Sequence, residues 1–223
     1  MKTLTRTVLC LTVLTLACGT LFAADQRLPE IAIVVASGDI HPNVGNDAGL
    51  KTIFSNLGSK TDAYYDAEGY YIAGPNHGSY YAQWVAVAFT PVHAATATQI
   101  QIAVEWYGLQ NSTKGFELVL AADASGLPGK SLHSWDVKKN VPNFGTCCKL
   151  DTATYAKGIK LKKGKQYWVV AKTDSKSTDT VDVWDYTWNE QRGNIASTDP
   201  NLGRWVVTAD QVLPAFAVQG TIP

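Results

Sequence analysis

The 223-residue chain contains four cysteines, one methionine and no excess of charge of either sign, with 19 basic and 19 acidic residues. Because it has no basic stripe to neutralise phosphates, we expect no nucleic-acid partner. Helical periodicity is nearly absent after residue 24, which argues against long helices and repeated βα units. Nucleophile elbows, zinc-protease helices, P-loops and dinucleotide fingerprints are also missing, so we predict no catalytic residues, no metal and no cofactor.

The first 24 residues have the composition of an export signal. Lys2 and Arg6 precede an apolar run at 8–17, and small residues stand at a cleavage site just before Asp25. The apolar run is too short to span a bilayer stably. We therefore predict a signal peptide at 1–24 and a mature protein that is secreted or periplasmic.

A lipoprotein signal is the less favoured alternative. The stretch Thr-Leu-Ala-Cys-Gly at 15–19 resembles a lipobox, which would place an acyl chain on Cys18. However, Thr15 stands where a lipobox usually has leucine. A single acyl chain would be a weak anchor on its own.

The mature chain has the size of one sizeable domain with a real hydrophobic core. Without Lys2 and Arg6, 17 basic residues face 19 acidic ones, so the formal charge is close to −2. No segment of the mature chain is apolar enough to form a transmembrane helix. We expect this domain to be a monomer.

Period-two alternation of apolar and polar residues dominates after residue 47 and predicts β-strands. In Ile100–Trp106 every second residue is apolar, and Glu105 falls on the opposite side, which we expect to be wet. Tyr167–Ala171 is apolar throughout, as expected of a central strand covered on both faces. The other predicted strands are Lys51–Asn56, Tyr70–Ala73, Gln83–Phe89, Phe116–Leu120, Ser131–Val137, Gly158–Leu161, Val181–Trp188, Arg204–Thr208 and Ala215–Gln219.

Short links rich in glycine, proline and asparagine separate these strands, at 74–78, 123–129, 162–165 and 199–203. Many short strands joined by such turns are typical of antiparallel sandwiches. We therefore predict an all-β protein, a jelly-roll-like antiparallel β-sandwich over 48–223. Residues 25–47 read as an irregular lead-in.

Several short stretches between about Leu50 and Gln219 together carry a family resemblance. They are Phe-Ser-Asn-Leu-Gly at 54–58, Ala-Ser-Gly-Leu-Pro-Gly-Lys-Ser-Leu at 124–132, Phe-Gly-Thr-Cys-Cys at 144–148, Gly-Ile-Lys-Leu-Lys-Lys-Gly at 158–164, Tyr-Trp-Val-Val-Ala at 167–171 and Pro-Ala-Phe-Ala-Val-Gln-Gly at 214–220. On these residues the chain resembles the bacterial choice-of-anchor R domains. The resemblance implies an exported β-sandwich without a settled biochemical activity, and it supplies no catalytic residues.

Cys147 and Cys148 are adjacent, and they are the two cysteines outside the predicted signal peptide. Neighbouring Cα atoms across a trans peptide lie about 3.8 Å apart, whereas disulfides prefer about 4.4–6.8 Å. A vicinal disulfide therefore needs a bent or cis-like peptide, which Gly145 upstream could assist. Such a ring would be a rigid, apolar plate that supports a turn or contacts a ligand. The alternatives are an intermolecular disulfide and, least favoured because of the spacing, a metal site.

Aromatic residues are frequent, with seven Trp and ten Tyr. Alternation in Val181–Trp188 places Trp184, Tyr186 and Trp188 on one face. If that face is exposed, its rings could stack against the apolar faces of sugars; the alternative is that it packs into the core. The Tyr-Tyr pairs at 64–65, 70–71 and 80–81 must each send one ring outwards or under a loop.

Carboxylates are scattered and match no EF-hand spacing. Asp174, Asp179, Asp182 and Asp185 could meet around calcium, although solvated turn residues are the default interpretation. We predict a secreted, non-catalytic binding module whose candidate partner is an extracellular polysaccharide. One alternative is a structural surface or matrix protein that associates with itself, and another is a secreted hydrolase whose carboxylates are brought together by folding.

Overall fold

The computed structural model describes residues 49–77, 82–108, 114–138, 141–173, 178–198 and 203–223. The predicted signal peptide and lead-in lie outside these residues. The described part of the chain forms thirteen strands and no helix, which confirms the all-β prediction. The strands are β1 Lys51–Ser55, β2 Tyr65–Ala73, β3 Trp84–Phe89, β4 Ala95–Ile102, β5 Val104–Trp106, β6 Phe116–Asp123, β7 Pro128–Val137, β8 Asp151–Leu161, β9 Tyr167–Lys172, β10 Val181–Tyr186, β11 Arg192–Thr198, β12 Val206–Val212 and β13 Phe216–Thr221.

The strands form a β-sandwich in which the pairings between strands are antiparallel. One layer is a six-stranded sheet in the order β12-β11-β3-β9-β6-β7. The opposite layer consists of two smaller sheets, β1-β13-β4-β8 and β2-β10-β5. Strands far apart in sequence are neighbours, as β1 and β13 show. These crossovers are what a jelly-roll-like arrangement requires.

Ala103 joins the two smaller sheets. It interrupts the predicted strand Ile100–Trp106, which divides into β4 and β5. The Ala103 carbonyl accepts a hydrogen bond from Asp185 N–H (2.9 Å), and its own N–H donates to the Ala215 carbonyl (3.1 Å). The backbone here is therefore held from both sides, and the β5–β10 region is a fixed platform.

The main core lies between the layers, and it includes Val169 of β9 and Trp184 of β10. Burying a side chain of this size contributes about 1.5–3 kcal/mol. The opposite face of β9 is also buried, with Trp168 and Val170 in a second apolar cluster. The prediction that Tyr167–Ala171 is covered on both faces is therefore confirmed.

A third, smaller cluster lies on the outer side of the β5–β10 platform. It contains Leu57, Ala63, Tyr64 and Ala103, and Cys148 packs against it. Loops between strands cover this face, so it is dry although it is not the sandwich core. The candidate site lies here.

Candidate functional site

The predicted aromatic row is divided between the core and the surface. Trp184 is fully buried, and its indole N–H donates to the Ala215 carbonyl at 3.0 Å. Tyr186 is also buried, and its ring packs edge-on against Tyr70. Both residues take the core position that was the alternative interpretation of the row. Strand β10 ends at Tyr186. Trp188 lies beyond the strand, so it does not point into the core with Trp184 and Tyr186, and it is 50% exposed.

A tight turn presents Trp188 to solvent. Thr187 closes this turn, since its carbonyl accepts from Glu190 N–H (3.1 Å) and its hydroxyl accepts from Gln191 N–H (2.8 Å). The exposed ring of Tyr65, at the start of β2, meets the Trp188 ring edge-on at 6.2 Å between centroids. Two aromatic rings thus form one exposed patch, which we call the aromatic pair.

The loop at 57–64 packs directly behind the aromatic pair. Gly58 N–H donates to the Ala63 carbonyl at 2.9 Å, which closes the loop. A Cβ atom at Gly58 would lie 2.1 Å from the Asp62 carbonyl oxygen and 3.3 Å from the Trp188 Cβ. Glycine is therefore required at position 58 because any side chain would collide with the Asp62 carbonyl and prevent the loop from closing.

Tyr64 and Tyr65 behave as the sequence predicts for a Tyr-Tyr pair. Tyr64 is fully buried under the loop that follows β7, whereas Tyr65 is 40% exposed. Alternation along an extended chain sends neighbouring side chains to opposite sides. Tyr65 was the signal in the sequence that could have identified the second ring of the aromatic pair.

Cys147 and Cys148 are joined as a vicinal disulfide, and the peptide bond between them is cis. They belong to the segment 144–150, which we call the cysteine loop. Ala63 N–H points at the Cys148 Sγ (3.3 Å), and the Tyr64 carbonyl oxygen lies 3.5 Å from the Cys147 Sγ. The disulfide thus rests on the 57–64 loop, with Cys147 exposed and Cys148 half-buried.

Glu105 holds the cysteine loop from below. Its carboxylate accepts hydrogen bonds from the backbone N–H groups of Gly145 (2.6 Å) and Thr146 (3.3 Å). It also accepts from the Tyr64 hydroxyl at 3.0 Å. Glu105 is fully buried, so the prediction that it lies on a wet strand face is wrong. The face is dry because the cysteine loop and Tyr64 cover it.

A second carboxylate continues this anchoring. Asp66 of β2 accepts a hydrogen bond from Cys147 N–H at 3.0 Å. Three successive backbone N–H groups, at positions 145–147, therefore donate to two acidic side chains. Charge-assisted bonds of this kind are about twice as strong as those between neutral groups.

Asp185 is the third acidic residue in this region, and its environment differs. It is fully buried, and none of the residues that the structure describes donates a hydrogen bond to its side-chain oxygens. Burial raises the pKa of Asp185 well above its ordinary value, and the charges of Glu105 and Asp66 raise it further. Burial also raises the pKa of Glu105, but the bonds from Tyr64 and the cysteine loop oppose that rise.

The other acidic residues of the predicted cluster do not gather. Asp182 and Asp185 are three positions apart in β10, so they point to opposite faces of the sheet. Asp182 is fully buried and faces inwards, so the expectation that it is a solvated turn residue is wrong. Asp174 lies outside the described residues. Among the described residues, no group of three or more His, Cys, Asp or Glu side chains could hold a metal ion.

Asp151 lies at the inner end of the sandwich, where burial raises its pKa to about 7. The charges of Lys149 and Lys114 oppose this rise. Burial raises the pKa of Asp182 well above its ordinary value, and the charge of Asp151 adds to the effect. These two acids interact with each other, and Asp151 directly follows the cysteine loop in the chain.

Comparison of the chain with protein-family models, with curated proteins and with solved structures finds no match. In the part of the chain that the structure describes, no helix has the length and apolar character needed to cross a membrane. The functional proposals that follow therefore rest on the sequence pattern and on the geometry of the site.

Proposed function

We propose that the mature chain is an exported, non-catalytic β-sandwich module that binds an extracellular polysaccharide through the aromatic pair and the neighbouring vicinal disulfide. The signal-like N-terminus and the resemblance to choice-of-anchor R domains support export. One observation carries the binding proposal. Among the described residues, the exposed large hydrophobic side chains include two aromatic ones, Tyr65 and Trp188, and these two are in contact with each other.

The aromatic pair suits a sugar because its two rings are tilted by 61°. Each ring can cover the apolar C–H face of a different pyranose, so the pair fits a bent or branched chain. Removing about 100 Å² of apolar ring surface from water contributes about 2.5 kcal/mol. The Thr187 turn and the 57–64 loop hold the rings in place, so little side-chain entropy is lost on binding.

Polar groups lie next to the rings. The side chains of Ser59 and Thr61 donate hydrogen bonds to Asp62 at 3.0 Å, at the tip of the 57–64 loop. These hydroxyl and carboxylate groups can exchange hydrogen bonds with sugar hydroxyls. The disulfide of the cysteine loop packs against this 57–64 loop and adds an apolar surface that has no hydrogen-bond donor of its own. A small apolar area with polar groups at its rim is typical of ligand sites.

A hydrolase is the second candidate, because folding brings Glu105, Asp66 and Asp185 into electrostatic contact. Glu105 and Asp185 are fully buried, however, and the cysteine loop lies over Glu105. A general acid or base must come within hydrogen-bond reach of its substrate. The geometry therefore favours binding without turnover.

The test is retention of the protein, residues 25–223, on a panel of insoluble polysaccharides such as cellulose, chitin and peptidoglycan. We expect retention on at least one of them and a loss of about tenfold or more in Trp188→Ala and Tyr65→Ala. Val206→Ala is the matched control, because Val206 is 45% exposed but belongs to β12 of the other layer.

Two results would overturn the proposal. Failure of the wild-type protein to bind any polysaccharide would rule out polysaccharide as the ligand class. Equal retention of Trp188→Ala and wild type would rule out the aromatic pair as the binding site. Light scattering at high concentration separates this function from a self-associating matrix protein, which would form large particles without any polysaccharide. Release of soluble sugar from the polysaccharide would favour the hydrolase.

A further inference from the structure

We propose that the surface described above is regulated by pH through Asp185: a proton on this side chain keeps the cysteine loop in place, and its loss as the pH rises loosens the loop and weakens binding. The binding part of this inference rests on the proposed function. The loop movement does not, and it can be measured without any ligand.

The backbone of Asp185 is fixed by the β5–β10 platform. Its backbone N–H donates to the Ala103 carbonyl (2.9 Å), and its carbonyl accepts from Ala215 N–H (2.8 Å). Val183 lies opposite Glu105 in the strand register. Side chains two apart share a face, so Asp185 lies on the same side of the sheet as Glu105.

The groups that interact with Asp185 come from three of the four elements packed on this face, whereas the fourth, the cysteine loop, carries the exposed Lys149. The interacting groups are Glu105 of β5, Asp66 of β2 and Tyr64 of the 57–64 loop. All three are neutral or negative, so none of them compensates a negative charge on Asp185. Burial disfavours that charge as well, which agrees with the raised pKa of this group.

Ionisation of Asp185 would add a negative charge to a closed space that already holds Glu105. The cost of a buried, unpaired charge is relieved when water enters. The strands on either side are held by ladder hydrogen bonds, whereas the cysteine loop is held largely by side chains. Its N–H groups at 145–147 donate to Glu105 and Asp66, and two of its carbonyls accept from the Tyr64 hydroxyl. The loop is therefore the part that gives way, and it carries the disulfide with it.

The test is amide hydrogen exchange at Gly145, Thr146 and Cys147 between pH 6 and pH 10, expressed as protection factors so that the intrinsic pH dependence cancels. We expect wild-type protection to fall by about tenfold or more with rising pH. Asp185→Asn should keep its protection throughout. Asp182→Asn is the matched control, because it neutralises another fully buried acid of β10 on the opposite face, and it should follow the wild type.

A second variant keeps the inference testable if Asp185→Asn does not fold. Glu105→Gln removes the neighbouring negative charge and keeps an acceptor for the cysteine loop, so Asp185 should ionise at lower pH and the loss of protection should move down with it. Wild-type protection that is independent of pH, or an identical fall in Asp185→Asn, would overturn the inference. So would a Glu105→Gln profile that does not shift.

The binding arm repeats the polysaccharide retention assay over the same pH range. We expect wild-type retention to fall where loop protection falls, and Asp185→Asn to remain bound. If the loop loosens but no polysaccharide is retained at any pH, the proposed function fails and the loop inference stands. If retention and loop protection are both constant with pH, the inference fails and the proposed function stands.

Discussion

Substitution of Asp151 by Asn tests the electrostatics of the sandwich interior. Asp151 begins β8 and pairs with Ile102 in the strand register. It is buried, and burial is the main cause that raises its pKa from 3.8 to about 7. Asn keeps the shape of the protonated side chain and removes its titration. The difference in the free energy of unfolding between the two proteins, followed against pH, therefore reports the titration of Asp151.

The direction of the effect follows from proton linkage. The folded protein binds a proton at Asp151 more tightly than the unfolded chain does, so the associated stability is fully present below about pH 4 and is lost as the pH rises to about 7. Raising a pKa from 3.8 to about 7 corresponds to about 4 kcal/mol, at about 1.4 kcal/mol for each pH unit. That is a large part of the 5–15 kcal/mol that a domain typically has.

The assay is urea unfolding of wild type and Asp151→Asn at pH 4, 5, 6, 7 and 8. We expect the free energy of unfolding of the wild type, relative to the variant, to fall by about 4 kcal/mol over this range and then to level off. Asp185 titrates in both proteins and cancels in the difference, whereas the effects of the Asp151 charge on Asp182 and Glu105 are part of the measured difference. A flat difference, or one that grows with pH, would refute the reasoning.

Two further predictions concern covalent structure and packing. The chain beginning at residue 25 should have an intact mass two daltons below that of the fully reduced form, and two free thiols in a thiol assay would refute the vicinal disulfide. Gly220→Ala should lower the free energy of unfolding by about 3 kcal/mol or more, because its Cβ would lie 2.0 Å from the Thr96 carbonyl oxygen. In the control Gly193→Ala, the new Cβ meets only the flexible side chain of Leu213 at 3.2 Å, so the loss should be smaller. Equal losses would contradict the packing argument.

Alternation predicted most strands but not their ends. The prediction for Gln83–Phe89 matches β3 to within one residue, and Phe116–Leu120 lies within β6. Strand β11 was missed, because Arg192–Thr198 has no clear alternation in its sequence. It forms because β3 and β12 pair with it on either side. Pairing with neighbours thus overrides weak local propensity.

The candidate site was predicted only in part. The cysteine pair and Trp188 were identified from local sequence, because adjacency and ring size are visible there. Glu105 was placed on a wet face, because alternation shows which residues share a face and not whether a loop covers it. Its partners Tyr64 and Gly145 are 41 and 40 positions away, so no local pattern connects them.

By itself, the sequence determined that the chain is built of strands, since a period of two is a property of the extended backbone and needs no tertiary contact. It also predicted that Tyr64 and Tyr65 would divide between two sides, as they do; the pair at 80–81 lies outside the described residues. Only the tertiary structure decided which faces are dry, because coverage depends on segments that are distant in the chain. It therefore decided that Trp184 is core, that Trp188 meets Tyr65 in solvent, and that Asp185 is fully buried on the face it shares with Glu105.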